Sequence, residues 1–177
     1  MKKINSVFAI LILSLISCNQ KPSLEKYFVT NSENKNFVQV DVAPSILNVD
    51  KTKLTSEQRL ALKSFDKMNI LAFKINDNNL AQFETERLKV DEILKNEKYQ
   101  QLMKFGSGKE VATVSYVGND EHISEFVLYG NKKENGFAII RIMGSNMNPS
   151  LIMSLLPVLK SSKIDMNQLK PLQDLIK

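Results

Sequence analysis

Three segments limit most strongly what this chain can fold into: Val111–Val117, Ile123–Tyr129 and Phe137–Met143. Each is rich in β-branched and aromatic residues, which suit a pleated, half-buried surface. Gly118-Asn119 and Asn135-Gly136 fall between them. Connections this short join strands only as antiparallel neighbours, so the pattern predicts a three-stranded meander. Side chains alternate along a strand. Ala112, Val114 and Tyr116 therefore share a face, and Phe126 with Leu128, and Ile140 with Ile142, offer matching apolar faces.

The rest of the chain supplies cover for such a sheet. Ser23–Thr30 reads as a short helix capped by Ser23, with Leu24, Tyr27 and Phe28 at helical spacing. Phe37–Val42 alternates and reads as a strand. Thr55 and Gln58 form a capping-box pattern before Leu60, Leu62, Phe65 and Met68 on one helical face. Ile70–Ile75 reads as a central strand, and Asp77 as the cap of a long helix with the stripe Leu80, Phe83, Val90 and Leu94. Tyr99, Leu102 and Met103 predict a second helical stretch, ended by Gly106. Asn148-Pro149 suits a helix start, and Ile152, Leu155, Leu156 and Leu159 follow at helical spacing until Pro157 kinks or ends the helix. A further short helix is expected near Pro171. The expected fold class is α+β: a mostly antiparallel sheet of about five strands with helices packed on one face, in a single domain over residues 23–177.

The N-terminus has a different character. Met1-Lys2-Lys3 is basic, and Ile4–Ile16 is mostly apolar and uncharged. Thirteen helical residues reach only about 20 Å, short of a bilayer core of about 30 Å. This is the form of a secretory signal. Leu15, Ile16 and Ser17 immediately before Cys18 match a lipobox, where a lipoprotein precursor is acylated on cysteine and cut before it. The expectation is a signal peptide over residues 1–17, and a lipidated Cys18 with a short tether over residues 18–22. Asn19–Pro22 extends at most about 14 Å, so the domain would sit close to the bilayer. Each buried acyl methylene contributes about 0.8 kcal/mol, and two or three chains make attachment lasting. Cys18 is the single cysteine, so no disulfide forms within the domain.

The signal, the strand–helix–strand opening, Tyr99-Gln100-Gln101-Leu102-Met103 before a glycine turn, and Ile139-Ile140-Arg141-Ile142-Met143-Gly144 closing the meander form a combination. Over Ser23–Pro157 it resembles the lipoprotein family catalogued as domain-of-unknown-function family 4252, found in Bacteroidetes. The resemblance implies a cell-envelope lipoprotein, in some genomes encoded near sigma-factor genes, and supplies no catalytic residues. Envelope lipoproteins of that kind often carry an acidic run after the cysteine as a surface-export signal. None follows Cys18 here, which favours a periplasm-facing position, and the expected location is the outer membrane.

Candidate chemistry is sparse. Gly106-Ser107-Gly108-Lys109 departs from a phosphate loop, because Met103 occupies the early glycine position and Glu110 follows the lysine. His122, beside Asp120 and Glu121, is the single histidine; with no free thiol it falls short of a zinc set or a Ser-His-Asp triad. Glu84 and Glu86 are two apart on a helix and diverge, so both read as a solvated face. No metal or cofactor is implied. The formal charge is +5, falling by two when Lys2 and Lys3 leave with the signal, too mild to argue for nucleic acid.

Met147, Ile152, Leu155, Leu156 and Leu159 stand out as a candidate partner or ligand surface, because methionine adapts to irregular apolar surfaces. The expected function is therefore non-enzymatic: a membrane-anchored binding or accessory module with an envelope protein partner, linked to stress response. The alternative is a carrier that shelters a small apolar ligand between sheet and helices. A cavity of roughly 300 Å³ or more marks the carrier, and a filled core with an exposed apolar patch marks the module.

Overall fold

The computed structural model describes residues 21–47, 49–107 and 110–154. In order these form α1 (Leu24–Asn31), β1 (Phe37–Val42), α2 (Ser56–Ser64), β2 (Phe65–Lys74), α3 (Leu80–Leu94), β3 (Gln100–Ser107), β4 (Glu110–Gly118), β5 (Ile123–Lys132), β6 (Gly136–Met147) and α4 (Pro149–Ser154). The strands make one antiparallel sheet in the order β1-β2-β6-β5-β4-β3. The α+β class and the β4-β5-β6 meander stand as expected, with six strands rather than five.

The extra strand is β3. Helical spacing of Tyr99, Leu102 and Met103 is real, but pairing with β4 overrides it. Gly106 is no helix cap: it lies near the end of β3, paired with Val111, with φ +75°, and an added Cβ there would lie 2.3 Å from the Glu110 carbonyl oxygen. A second boundary also moves. α2 stops at Ser64 and the chain straightens at Phe65, so Phe65 and Met68 belong to β2, not to a helical face. Leu60 is exposed. The capping box at α2 forms as the pattern predicts: Gln58 N–H donates to Thr55 Oγ1 at 3.1 Å, and Thr55 N–H to Gln58 Oε1 at 3.0 Å. At α3 the N-cap position falls on Asn79 rather than Asp77. The Asn79 amide ties the approach to the helix, accepting from Asn76 N–H at 2.8 Å and donating to the Lys74 carbonyl at 3.0 Å.

Strand register sorts the side chains into two faces. One carries Phe37, Leu71, Phe73, Phe137, Ile139, Val127 and Tyr129, and α1 and α3 pack on it through Leu24, Tyr27, Phe28, Phe83, Val90 and Ile93. Phe73 and Phe137 stack with centroids 5.6 Å apart, and Phe37 meets Phe73 edge-on at 5.1 Å. Such pairs add to area burial by about 0.5–1.5 kcal/mol each. The helices do not keep to one face as expected. α2 lies on the opposite face, where Leu62 packs with Val40, Val42 and Ile70. Leu80 is exposed, so the buried stripe of α3 is Phe83, Glu86, Val90 and Ile93.

Charges are buried in the α1/α3 layer. Arg141 on β6 donates twice to Glu125 on β5, Nε to Oε1 at 2.6 Å and Nη2 to Oε2 at 3.0 Å, and both residues are buried. Its Nη2 also reaches Glu25 of α1 at 3.2 Å, and Lys98 donates to the same Glu25 oxygen at 2.8 Å. The Tyr99 hydroxyl accepts from Leu24 N–H at 3.1 Å. The first turn of α1 is thereby pinned to the sheet. Burial alone would raise the Glu25 carboxyl, but hydrogen bonds from Lys98, its own backbone N–H and Ser23, with the Arg141 charge, lower it to about 2.

Because that folded-state value lies below the unfolded one, Glu25 stabilises the fold above pH 4.5 and the contribution is lost as pH falls toward 2. Glu25 is half-exposed, so solvent screening reduces the effect to about 1 kcal/mol. Glu25→Gln should lower stability by that amount at pH 7 in urea unfolding. The gap from the parent should close between about pH 4.5 and pH 2.

Candidate binding surface

The sheet face opposite α1 and α3 holds the most distinctive surface. Reading across the strands at one register level, Val38 pairs with Ala72, Ala72 with Ala138, Ala138 with Gly130, Gly130 with Ala112, and Ala112 with Phe105. Four small residues therefore lie side by side between two larger ones. The next level reads Ile70, Ile140, Leu128, Val114 and Met103. Small beside large gives a depression. The result is an open trough of about 660 Å³, lined by apolar side chains including Ile70, Ala72, Phe105, Ala138 and Ile140. Lys74, Glu110 and Lys132 stand at its rim, Lys132 and Glu110 pairing at 3.7 Å.

Gly130 shows how empty the centre is. A Cβ built there meets no heavy atom within 4 Å. At Gly136, with φ +114°, a Cβ would lie 1.8 Å from the Phe73 carbonyl oxygen. The first glycine leaves space; the second is required by the turn into β6. The trough runs out to an edge: β3 is exposed along its whole length and presents Leu102, Met103 and Phe105, with Phe105 57% exposed. An edge strand with unpaired backbone groups and apolar side chains invites pairing or cover.

The residues singled out from the sequence fare differently. Met147 is fully buried against Ile123 and Phe126, so it is core and not surface. Ile152 falls in α4, where only the backbone is described, and Leu155, Leu156 and Leu159 lie outside the described residues, as do Leu15, Ile16, Ser17 and Cys18. His122 is exposed in the β4–β5 turn, with Nδ1 3.1 Å from Asn146 Oδ1. Asp120 accepts from the Tyr116 hydroxyl at 2.7 Å. Glu84 is exposed and paired with Arg87. Glu86 is not on a solvated face: it is buried, accepting from the Tyr27 hydroxyl at 2.8 Å and from Lys89 at 2.8 Å. Burial, then the Glu86 bond and charge, raise the Tyr27 hydroxyl and keep it protonated. Gly106-Ser107 ends a strand in a β-hairpin and precedes no helix, the reverse of a phosphate loop's context. Among the described residues no three His, Cys, Asp or Glu side chains group as a metal site, and no helix is long and apolar enough to cross a membrane.

The matched family fits this domain. The model described as "Domain of unknown function (DUF4252)" covers residues 27–155. The chain belongs to this family. The match runs from within α1 to one residue past α4, so it takes in all six strands and the whole trough. No curated protein and no solved structure matches the chain.

The two glycines give a paired test of the trough. Gly130→Ala should raise stability by about 0.5–1 kcal/mol, the ordinary gain of replacing glycine in a regular element. Gly136→Ala should cost about 2 kcal/mol or more, because positive φ and a backbone clash coincide. Thermal unfolding of both variants distinguishes an open position from a required one.

Proposed function

We propose that this DUF4252 chain is a lipid-anchored binding or accessory module of the cell envelope, and that the trough beside β3 is its binding surface. The anchor rests on Leu15-Ile16-Ser17-Cys18, at the junction between an apolar run and polar Asn19-Gln20-Lys21. The binding role rests on one observation: apolar residues crowd an open sheet face, whereas the cleft of about 340 Å³ between α3 and the sheet is lined largely by polar and charged side chains such as Arg87, Asp91, Lys95 and Lys104. That combination suits a partner surface better than a carrier cavity between sheet and helices. The geometry is compatible with an anchor. The chain enters through α1, on the face opposite the trough. A tether there leaves the trough directed away from the point of attachment. Outer-membrane placement facing the periplasm, and a link to stress response, belong to the same reading.

A carrier of a small apolar ligand remains the second reading, favoured by the trough's 660 Å³, which is in the range of small-molecule sites. Organic extraction of the purified native protein separates the two. A stoichiometric lipid or other apolar molecule supports the carrier, and none supports the partner module.

The anchor has its own test. Cys18→Ala should abolish fatty-acid labelling and release the protein from washed membranes. Unchanged labelling would remove the anchor from the account.

A further inference from the structure

The sheet face that carries the aromatic core turns polar toward its β3 edge. Thr113 on β4 pairs with Tyr129 on one side and Lys104 on the other, and Ser115 pairs with Val127 and Gln101. Residues paired across neighbouring strands share a face. Tyr129 and Val127 belong to the core under α1 and α3, so Lys104, Gln101, Thr113 and Ser115 extend that same face outward. Opposite them, Arg87, Asp91 and Lys95 recur every four residues along α3 and its C-cap, on one stripe. Helix stripe and sheet strip flank the cleft of about 340 Å³ and line it together.

Two features of this cleft are unsatisfied. Buried polar side chains are hydrogen-bonded as a rule. Ser115 is only 4% exposed, yet its hydroxyl has no hydrogen-bond partner among the described residues and opens into the cleft. The charges are also unequal. Arg87 pairs with Glu84 at 3.1 Å and with Asp91 at 2.7 Å. Asp91, the one acid among the described residues that line the cleft, is thereby neutralised. Lys95 and Lys104 stand on opposite walls, and neither side chain has an ion-pair partner among the described residues.

We propose that this cleft binds a phosphomonoester, with Lys95 and Lys104 meeting its charge and the Thr113 and Ser115 hydroxyls donating to its oxygens. A phosphomonoester carries a charge of about −1.5 to −2 near neutral pH and three strong acceptor oxygens. Two free ammonium groups and two open hydroxyls match that demand, whereas a single carboxylate would leave one lysine unmet. The volume is at the small end of ligand sites and admits a phosphate on a compact polar body. Such a group occurs on soluble phosphate esters and on phosphatidic acid. The site lies on the face opposite the trough, so it is independent of the partner surface and of the anchor.

Glycerol 3-phosphate and dihexanoyl phosphatidic acid differ only in their acyl chains. Each is titrated by calorimetry into the full-length chain carrying Cys18→Ser, with glycerol as the neutral control. Saturable binding of at least one phosphate probe, and none of glycerol, is expected. Lys95→Gln, Lys104→Gln and Ser115→Ala should each weaken it about tenfold, the scale of one charge-assisted hydrogen bond. Both lysines are exposed, so their variants keep the fold. Lys67→Gln makes the same charge change on β2, three strands from β4, and should leave binding unchanged. Tighter binding of the diacyl probe assigns the site to a membrane lipid, and equal or weaker binding assigns it to a soluble ester; either result supports the proposal. Failure of both probes to bind would overturn it, as would binding unchanged in both cleft lysine variants or weakened equally by Lys67→Gln.

Discussion

The structure depends on one constraint, the register in which β2, β6, β5 and β4 pair. Side chains alternate between faces along a strand, so a shift of one residue would exchange the two faces throughout. In the observed register Phe73, Phe137, Leu71 and Ile139 turn toward α1 and α3 and form the aromatic core. The same register brings Ala72, Ala138, Gly130 and Ala112 together on the other face. Core and trough are two consequences of a single pairing. Arg141 and Glu125 add a further restraint. Arg141 stands opposite Val127 and reaches diagonally to Glu125 on the neighbouring strand inside the α1/α3 layer, and a slipped strand would leave a buried charge without its partner.

Much of this was legible from local pattern. The meander, β1, the capping box at α2 and the start of α4 all follow from alternation and turn chemistry confined to a few residues. The failures share a cause. Tyr99–Ser107 carries no clean alternation, and its spacing suits a helix, yet β4 offers an unpaired edge and the segment completes the sheet. Phe65–Asn69 continues the apolar spacing of α2, but β1 and β6 both need a partner at those levels. Non-local hydrogen bonding decided both segments, and no window of sequence contains it. Glu86 was misread for a related reason. Its burial is set by Tyr27, 59 positions away.

The trough was invisible for the same reason. Leu71-Ala72-Phe73, Val111-Ala112-Thr113, Tyr129-Gly130-Asn131 and Phe137-Ala138-Ile139 each hold one small residue between larger ones. Taken singly, they are ordinary strand positions. Only the pairing places them in one row, and only then do they form a depression. Met147 shows the converse. Its composition suited an adaptable surface, but register pairs it with Ile123 and it fills the core. The surface proposed for binding therefore comes from absence of side-chain volume, a property that composition near the C-terminus could not reveal.

Methyl-resolved nuclear Overhauser spectroscopy on alanine-labelled protein tests this account most directly. Residues paired across antiparallel strands hold their Cβ atoms about 4.5–5.5 Å apart. The account predicts a strong contact between the Ala72 and Ala138 methyls, and contacts from the Ala138 and Ala112 methyls to the Gly130 α-protons. An Ala72 methyl that instead contacts Ile139 or the aromatic core around Phe137 would show a shifted register, and would contradict the trough and every inference built on it.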